Sequence, residues 1–329
     1  MNHVAGSLKG ELLYFGKVPS RGDFIRSALH PAFVDHLDRW QSQVMERLAA
    51  DPRWKLVYDE APAVAFSILG SSNRLGLAGH WLPSSDTSGR RFPFVAASVF
   101  DLPAARGHMA LVPQALQRLW PRVEQVCRVA HAATAMEHAQ ASLNTPLDAE
   151  VDLARAALSV EDFLDSHTLA SLEQMLQAAA HPVSLRQALM ALGLLLGPAM
   201  AQGAGRLNKL LCLPLPGEPS VQGGVAAFWL QAVLGFFERH DLELGLFIVG
   251  RGASADLLVG FQGASAIAML AAIDPMAAQQ HTVTLDGSEW VEQEVLQDAG
   301  LRKLSNYLRD PGLSLSQALQ IYREVFLGV

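Results

Sequence analysis

Two hydrophobic patterns alternate along this chain and predict different elements. Short apolar runs bounded by turn residues predict strands near both ends of the chain, at 12–15, 63–69, 75–82, 92–100, 207–213, 244–249 and 256–261. Helical spacing of Phe33, Leu37, Trp40, Val44 and Leu48 predicts a helix that begins after Pro31 and ends near residue 51. Together these patterns predict an α/β protein, in which a mixed β-sheet is packed with helices.

The middle of the chain, about residues 103–200, predicts mainly helices. Pro113 suits a first helical turn, and Pro121 is expected to kink or split the segment that follows. The segment 159–162 resembles a capping box, and Ser184 can cap the helix that ends at Gly197. Further on, the Pro- and Gly-containing segment 214–224 predicts a loop before a helix at 226–239.

These elements predict one α/β domain over residues 10–275, which contains the helical middle, and a helical C-terminal extension over 276–329. Strands at both ends with helices between them favour a single mixed sheet. Whether the helical middle folds as a separate domain stays open at this point.

Composition narrows the classes of function. The chain has 329 residues, half of them hydrophobic, and a net charge of −7, which argues against nucleic-acid and anionic-membrane partners. The two cysteines, Cys127 and Cys212, lie in apolar surroundings and predict buried free thiols in a reducing compartment. The first ten residues lack the apolar run of a signal peptide, and segment 185–200 is too short and interrupted to span a bilayer. We therefore expect a cytoplasmic protein without membrane insertion.

Two loops hold most of the candidate chemistry. The loop 16–24 places Lys17 beside glycines, but its spacing differs from a phosphate loop, and Pro19 removes a backbone donor. A turn in which Asp23 accepts local backbone N–H groups is the alternative. In the loop 83–93, Arg90 and Arg91 could bind a carboxylate or phosphate, or could pair with Asp86 or Asp23.

Other catalytic and metal-binding patterns are weak. Glu124, His131 and His138 recur every seven residues, a separation of two helical turns that is too long for one metal ion. No Gly-x-Ser-x-Gly nucleophile motif occurs in the sequence. We therefore expect no catalytic residue, no cofactor and no metal site, and predict that the protein is not an enzyme.

The two loops resemble the signatures of the TagF/ImpM family, type VI secretion-associated accessory proteins of Gram-negative bacteria. The first loop resembles Gly-Lys-(Leu/Val)-Pro-(Ser/Ala)-x-Gly-Asp-Phe, and the second resembles Pro-Ser-x-Asp-x-x-Gly-Arg-Arg-Phe-Pro. The resemblance covers roughly residues 12–100 and, more weakly, 226–273. The residues that carry it are Gly16, Lys17, Pro19, Ser20, Gly22, Asp23, Phe24, Pro83, Ser84, Asp86, Gly89, Arg90, Arg91, Phe92 and Pro93.

The resemblance implies a mixed α/β fold and a cytosolic regulator that represses type VI secretion post-translationally. It implies that the partner is the forkhead-associated scaffold protein of that system. The alternative is a small-ligand or anion-binding protein, or an enzyme, that uses the charged groups of both loops: Lys17, Arg21, Asp23, Asp86, Arg90 and Arg91. In either case we expect the two loops to meet, and expect a partly buried ion pair that involves Arg91 or Asp23.

Overall fold

The structure, a computed structural model, describes residues 11–102, 107–147, 150–198, 200 and 207–328. The first ten residues, and residues 103–106 at the start of the predicted helical middle, lie outside the described residues. The described strands form one nine-stranded sheet of order β2-β1-β5-β4-β3-β7-β8-β6-β9. The strands are β1 Leu13–Gly16, β2 Ile25–Arg26, β3 Val64–Gly70, β4 Leu75–Leu82, β5 Phe94–Asp101, β6 Leu210–Leu215, β7 Glu243–Arg251, β8 Ser254–Gly260 and β9 Thr282–Thr284.

Neighbouring strands are antiparallel except β6 and β9, which run parallel, so the predicted mixed sheet is confirmed. Fourteen α-helices are described. They are α1 Pro31–Ala49, α2 Trp54–Asp59, α3 Gly107–Ala115, α4 Leu119–Ala132, α5 Met136–Leu143, α6 Leu153–Ser166, α7 Leu169–Ala178, α8 Leu185–Leu196, α9 Pro219–Leu234, α10 Ala266–Ile273, α11 Pro275–His281, α12 Val291–Gln297, α13 Ala299–Tyr307 and α14 Leu315–Leu327.

The sheet separates two hydrophobic cores, because successive side chains of a strand point to opposite faces. On β4, Trp81 belongs to the core under α1, α2 and α10, whereas Ala78 and Leu82 belong to the core under the helical middle. Both faces of the central strands are therefore covered, which explains why these strands read as nearly continuous apolar runs.

Helix α1 shows how the sequence builds the smaller core. Pro31 occupies the first turn, where its missing N–H is not needed, and His30 before it has a positive φ of 51°. The buried stripe includes Leu37, Trp40 and Val44, as the spacing predicted. Trp40 packs edge-on against Phe66 of β3 at a centroid distance of 5.0 Å, which fixes the helix on the sheet.

The predicted loop 214–224 is wrong, because most of it belongs to β6 and α9. Pro219 lies in the first turn of α9, and Gly223 and Gly224 lie inside the helix, where neighbouring side chains approach closely. A Cβ on Gly224 would lie 2.7 Å from the Phe163 ring. By length and composition, the described helical stretch Pro219–Phe237 could cross a membrane, but 67% of its apolar window is buried inside the protein.

In the middle of the chain, two sequence-based helix assignments are wrong and one is confirmed. Pro113 lies inside α3 rather than in a first turn. Segment 159–162 lies inside α6, whose N-terminus is capped instead by Asp152, since the buried stripe of α6 starts at Leu153. The cap at Ser184 is confirmed: its hydroxyl accepts a hydrogen bond from the backbone N–H of Gln187.

The C-terminal segment joins the sheet and the larger core. Strand β9 pairs with β6, and Leu319 and Tyr322 of α14 are buried together with residues of the helical middle. The division at residue 275 stays a prediction. Cys127 is buried as predicted, Cys212 is half-buried, and neither is disulfide-bonded.

Candidate functional site

The two motif loops meet at one edge of the sheet, as expected. Strands β1 and β4 end there and β5 begins there, so Gly16 and Leu82 both pair with Phe94. The Arg90 Nη2 donates to the Gly22 carbonyl at 2.6 Å, and the Thr87 N–H donates to the Arg21 carbonyl at 3.1 Å. These contacts tie the loops together directly.

A buried ion pair lies at the centre of this contact. The Lys17 Nζ donates to Asp86 Oδ2 at 2.9 Å, and the Arg90 Nε donates to the same oxygen at 2.7 Å. The backbone N–H groups of Ser88 and Arg90 donate to Asp86 Oδ1 at 2.9 and 3.0 Å. The side chains of Lys17 and Asp86 are 8% and 0% exposed. The Lys17 hydrogen bond, with those from Arg90 and Ser88, holds the pKa of Asp86 well below its usual range, although burial opposes it.

A second layer of hydrogen bonds joins this pair to α2. The Ser84 hydroxyl donates to the Lys17 carbonyl at 2.7 Å. The Tyr58 hydroxyl donates to the Ser84 carbonyl and accepts from the Ser84 N–H, both at 2.8 Å. Burial raises the pKa of Tyr58, so its hydroxyl keeps the proton that it donates. Tyr58 was missed by sequence reasoning, since α2 has no apolar period long enough to be recognised.

Aromatic side chains close the cluster from the solvent. The Phe24 ring stacks on Phe15 at 5.4 Å and meets Phe92 edge-on at 4.9 Å. The Lys17 Nζ lies 5.0 Å from the centroid of Phe24, within cation–π range. Phe24 itself remains 39% exposed, so it forms the outer wall of the cluster. We call Lys17, Phe24, Ser84, Asp86 and Arg90 the two-loop cluster.

Arg91 and Asp23 lie outside the buried ion pair, which corrects the expectation that one of them takes part in it. Arg91 donates to both carboxylate oxygens of Asp59 at 2.7 and 2.6 Å, on an exposed surface beside Trp54. Asp23 is exposed, and its carboxylate accepts the Phe24 N–H at 2.8 Å, as in the predicted turn. Asp86 is therefore the acidic partner: it lies just before the turn Thr87–Ser88, with its side chain buried against Lys17.

The remaining motif residues shape the backbone. Gly16 has a φ of +137°, and a Cβ there would lie 2.0 Å from the Pro93 carbonyl oxygen. Gly89 has a φ of +74°, and its N–H donates to the Asp86 carbonyl at 2.9 Å. Pro19, Ser20 and Pro83 are half-buried. Glycine is needed at position 16 because the second loop approaches its backbone closely.

Several charged groups of the two loops bond to one another or to α2. Lys17 and Arg90 are bound to Asp86, and Arg91 is bound to Asp59. Asp86 accepts four hydrogen bonds from these loops, which fills the capacity of a carboxylate. The geometry uses Lys17 and Asp86 to hold the two loops in one shape, whereas the side chains of Arg21 and Arg90 remain exposed.

The three candidate metal ligands, which recur every seven residues, are divided between two helices. Glu124 and His131 lie on α4, which ends at Ala132, and His138 lies on α5. Glu124 accepts a hydrogen bond from Arg128 at 2.7 Å, and burial lowers the pKa of His131. Among the described residues, no group of three or more His, Cys, Asp or Glu is placed to hold a metal ion.

Comparisons with known proteins relate the first part of the chain to a protein family. Residues 13–147 match the family model of the TagF N-terminal domain, described as type VI secretion system-associated. A crystal structure of PA0076 from Pseudomonas aeruginosa PAO1 is 25% identical over 42% of this chain, and the match spans 63% of that chain. Its TM-score of 0.33 is too low to establish a shared overall fold. No curated protein matches. Residues 13–147 are therefore similar to the TagF N-terminal domain, which is associated with type VI secretion systems.

Proposed function

We propose that the protein is a cytosolic, non-enzymatic repressor of type VI secretion that acts post-translationally by binding a protein of that system. The partner that the family resemblance suggests is the forkhead-associated scaffold. The TagF N-terminal domain at residues 13–147 supports the assignment to the secretion system. The mechanism is sequestration: a bound scaffold is unavailable for assembly of the secretion machine.

The observation that carries this proposal is the internal use of the charged motif. Lys17, Asp86 and Arg90 bond to one another, and the Lys17–Asp86 pair is almost fully buried. Charged side chains that bind an anionic substrate would instead point into an open site. The geometry therefore favours a structural role for these loops, in which they support a binding surface, over the alternative anion-binding or catalytic role.

The test compares secretion of the needle protein in wild-type, deletion and overexpression strains, with co-purification of the scaffold from the cytosol. Deletion should raise secretion, overexpression should lower it, and the scaffold should be recovered with the tagged protein. Unchanged secretion in both strains without scaffold recovery would refute the proposal. Raised secretion without scaffold recovery would keep the repressor role and reject this partner.

Two exposed leucines allow the binding surface to be mapped without disturbing the core. Leu56 on α2 is 59% exposed beside the motif loops, and Leu158 on α6 is 69% exposed on the other side of the sheet. A charge at a hot-spot position should abolish binding, whereas a charge outside the interface should not. Leu56→Asp and Leu158→Asp are thus matched variants, and loss of the scaffold in one alone assigns the interface to one face.

A further inference from the structure

A cavity of about 410 Å³ opens between α1 and the sheet, at the end opposite to the two-loop cluster. Its walls come from α1, the β3–β4 hairpin, the start of β7 and the turn before α10. The eight residues of β4 separate this end from the motif loops, a distance of roughly 25 Å at strand spacing. The cavity is therefore independent of the site described above.

The interior of the cavity is apolar and rigidly built. Phe33, Leu37 and Trp40 line it from α1, and Ile68 and Leu77 line it from the sheet. Leu37 and Trp40 are also part of the smaller core, so this wall is fixed by packing. The Trp40 Nε1 donates to the Ser265 carbonyl at 3.4 Å, which holds the turn that closes one side. A preformed apolar cavity of this volume lies in the range of small-molecule sites.

Hydrogen-bond acceptors lie at the rim. Glu243 lines the cavity, and its Oε2 is placed against the turn, 3.2 Å from where a Cβ on Gly263 would lie. Among the described residues, the Glu243 carboxylate has no ion-pair partner. The His36 Nδ1 lies 2.6 Å from the Ala32 carbonyl, so Nδ1 carries the proton and Nε2 is the acceptor of the neutral ring.

We propose that this cavity binds a small amine with an apolar aliphatic or aromatic body. The body would fill the cavity between α1 and β3–β4, and the ammonium group would lie at the rim against Glu243. Apolar burial supplies affinity, since it scales with the area removed from water. The carboxylate supplies selectivity, because it attracts an ammonium group and repels a carboxylate at the same position.

This inference does not rest on the proposed repressor role, and it is tested on the purified full-length chain. The probes are phenethylamine and 3-phenylpropionate, which share the phenyl ring and carry opposite charges. Binding is measured by isothermal titration calorimetry at low salt, where an exposed charge is least screened. We expect the amine to bind about tenfold more tightly than the acid.

Three variants define the site. Glu243→Gln should reduce the preference for the amine severalfold while the apolar cavity remains. Ala264→Phe, at an exposed position of the wall, should abolish binding of both probes by filling the space. Glu60→Gln is the matched control, because Glu60 is an exposed carboxylate at the end of α2 and does not line the cavity.

The proposal is supported if the amine is preferred in wild type and in Glu60→Gln, loses its advantage in Glu243→Gln, and fails to bind Ala264→Phe. Circular dichroism of each variant confirms that it is folded. Equal binding of the two probes, no binding, or amine binding that survives in both Glu243→Gln and Ala264→Phe would overturn the proposal. None of these results depends on the scaffold protein.

Discussion

Replacement of Tyr58 by phenylalanine tests whether hydrogen bonding holds the motif loops in place. The change removes one oxygen and leaves the ring, which is 2% exposed and packs 6.3 Å from the ring of Trp81. Two bonds of 2.8 Å to the backbone of Ser84 are lost. Packing is retained, so a loss of stability reports the hydrogen bonds alone.

The two lost bonds differ in their consequences. The Ser84 carbonyl still accepts the Phe92 N–H at 3.1 Å, so it keeps one partner. The Ser84 N–H has no such replacement in the buried cluster, and an unsatisfied buried donor costs about 1–3 kcal/mol. With about 1 kcal/mol for the second bond, we expect Tyr58→Phe to lower the free energy of unfolding by roughly 2–4 kcal/mol.

Tyr322 on α14 provides an internal control. It is fully buried, but among the described residues its hydroxyl has no hydrogen-bond partner. Removal of an unpartnered buried hydroxyl relieves a desolvation penalty, so Tyr322→Phe should leave stability unchanged or raise it by up to about 2 kcal/mol.

Urea-induced unfolding of both variants, followed by circular dichroism, gives the comparison. The free energy of unfolding should fall in Tyr58→Phe and should stay unchanged or rise in Tyr322→Phe. A Tyr58→Phe protein as stable as wild type, or equal losses in the two variants, would refute the assignment of the Tyr58 hydroxyl as a structural link.

Three further predictions concern individual side chains. Burial lowers the pKa of His80 to about 4 in the folded protein, whereas it is about 6.5 in the unfolded chain. As the pH falls, His80 is therefore protonated first in the unfolded chain, which favours unfolding. The free energy of unfolding should therefore drop by up to about 3 kcal/mol from pH 7 to pH 4, and His80→Leu should flatten that slope in urea titrations. Lys17→Met should lower the thermal midpoint clearly and Arg91→Ala only slightly, since only Lys17 belongs to a buried pair; equal midpoints would contradict this. Gly16→Ala should lower the midpoint far more than Gly250→Ala, because only at Gly16 does the added Cβ meet backbone.

Much of the fold could be predicted because the spacing of hydrophobic residues and the positions of turn-forming residues indicate the same elements. The β3–β4 hairpin and α1 are examples, since each has a continuous apolar pattern with clear breakers at its ends. Helix α9 could not be predicted over its full length, because it is apolar on all sides and contains Gly223 and Gly224, residues that locally favour a loop. Contacts with Phe163, with Gln114 of α3 and with Gln117 just after α3 override that preference.

The position of the site could be predicted from the sequence, but the ion pairs between its charged side chains only in part. Strand ends placed both loops at one edge, and the pairing of Arg90 with Asp86 was one of the sequence-based alternatives. Which carboxylate lies inside depends on the direction of each turn, and so Asp86 and Asp23 could not be distinguished. Tyr58 and Asp59 contribute from α2, whose contacts with the loops are set by tertiary packing alone.

The burial of the motif changes how its variants should be interpreted. Loss of Asp86 would leave the buried Lys17 charge uncompensated, and loss of Lys17 would leave Asp86 paired only with the exposed Arg90. Either variant therefore disturbs the shape of both loops. A loss of repression in these variants would therefore report folding unless the melting curve is unchanged. Exposed positions such as Leu56 do not have this ambiguity, because a charge there leaves the buried pair intact. The binding surface is thus best sought around the cluster, on side chains that the cluster positions, rather than at the ion pair itself.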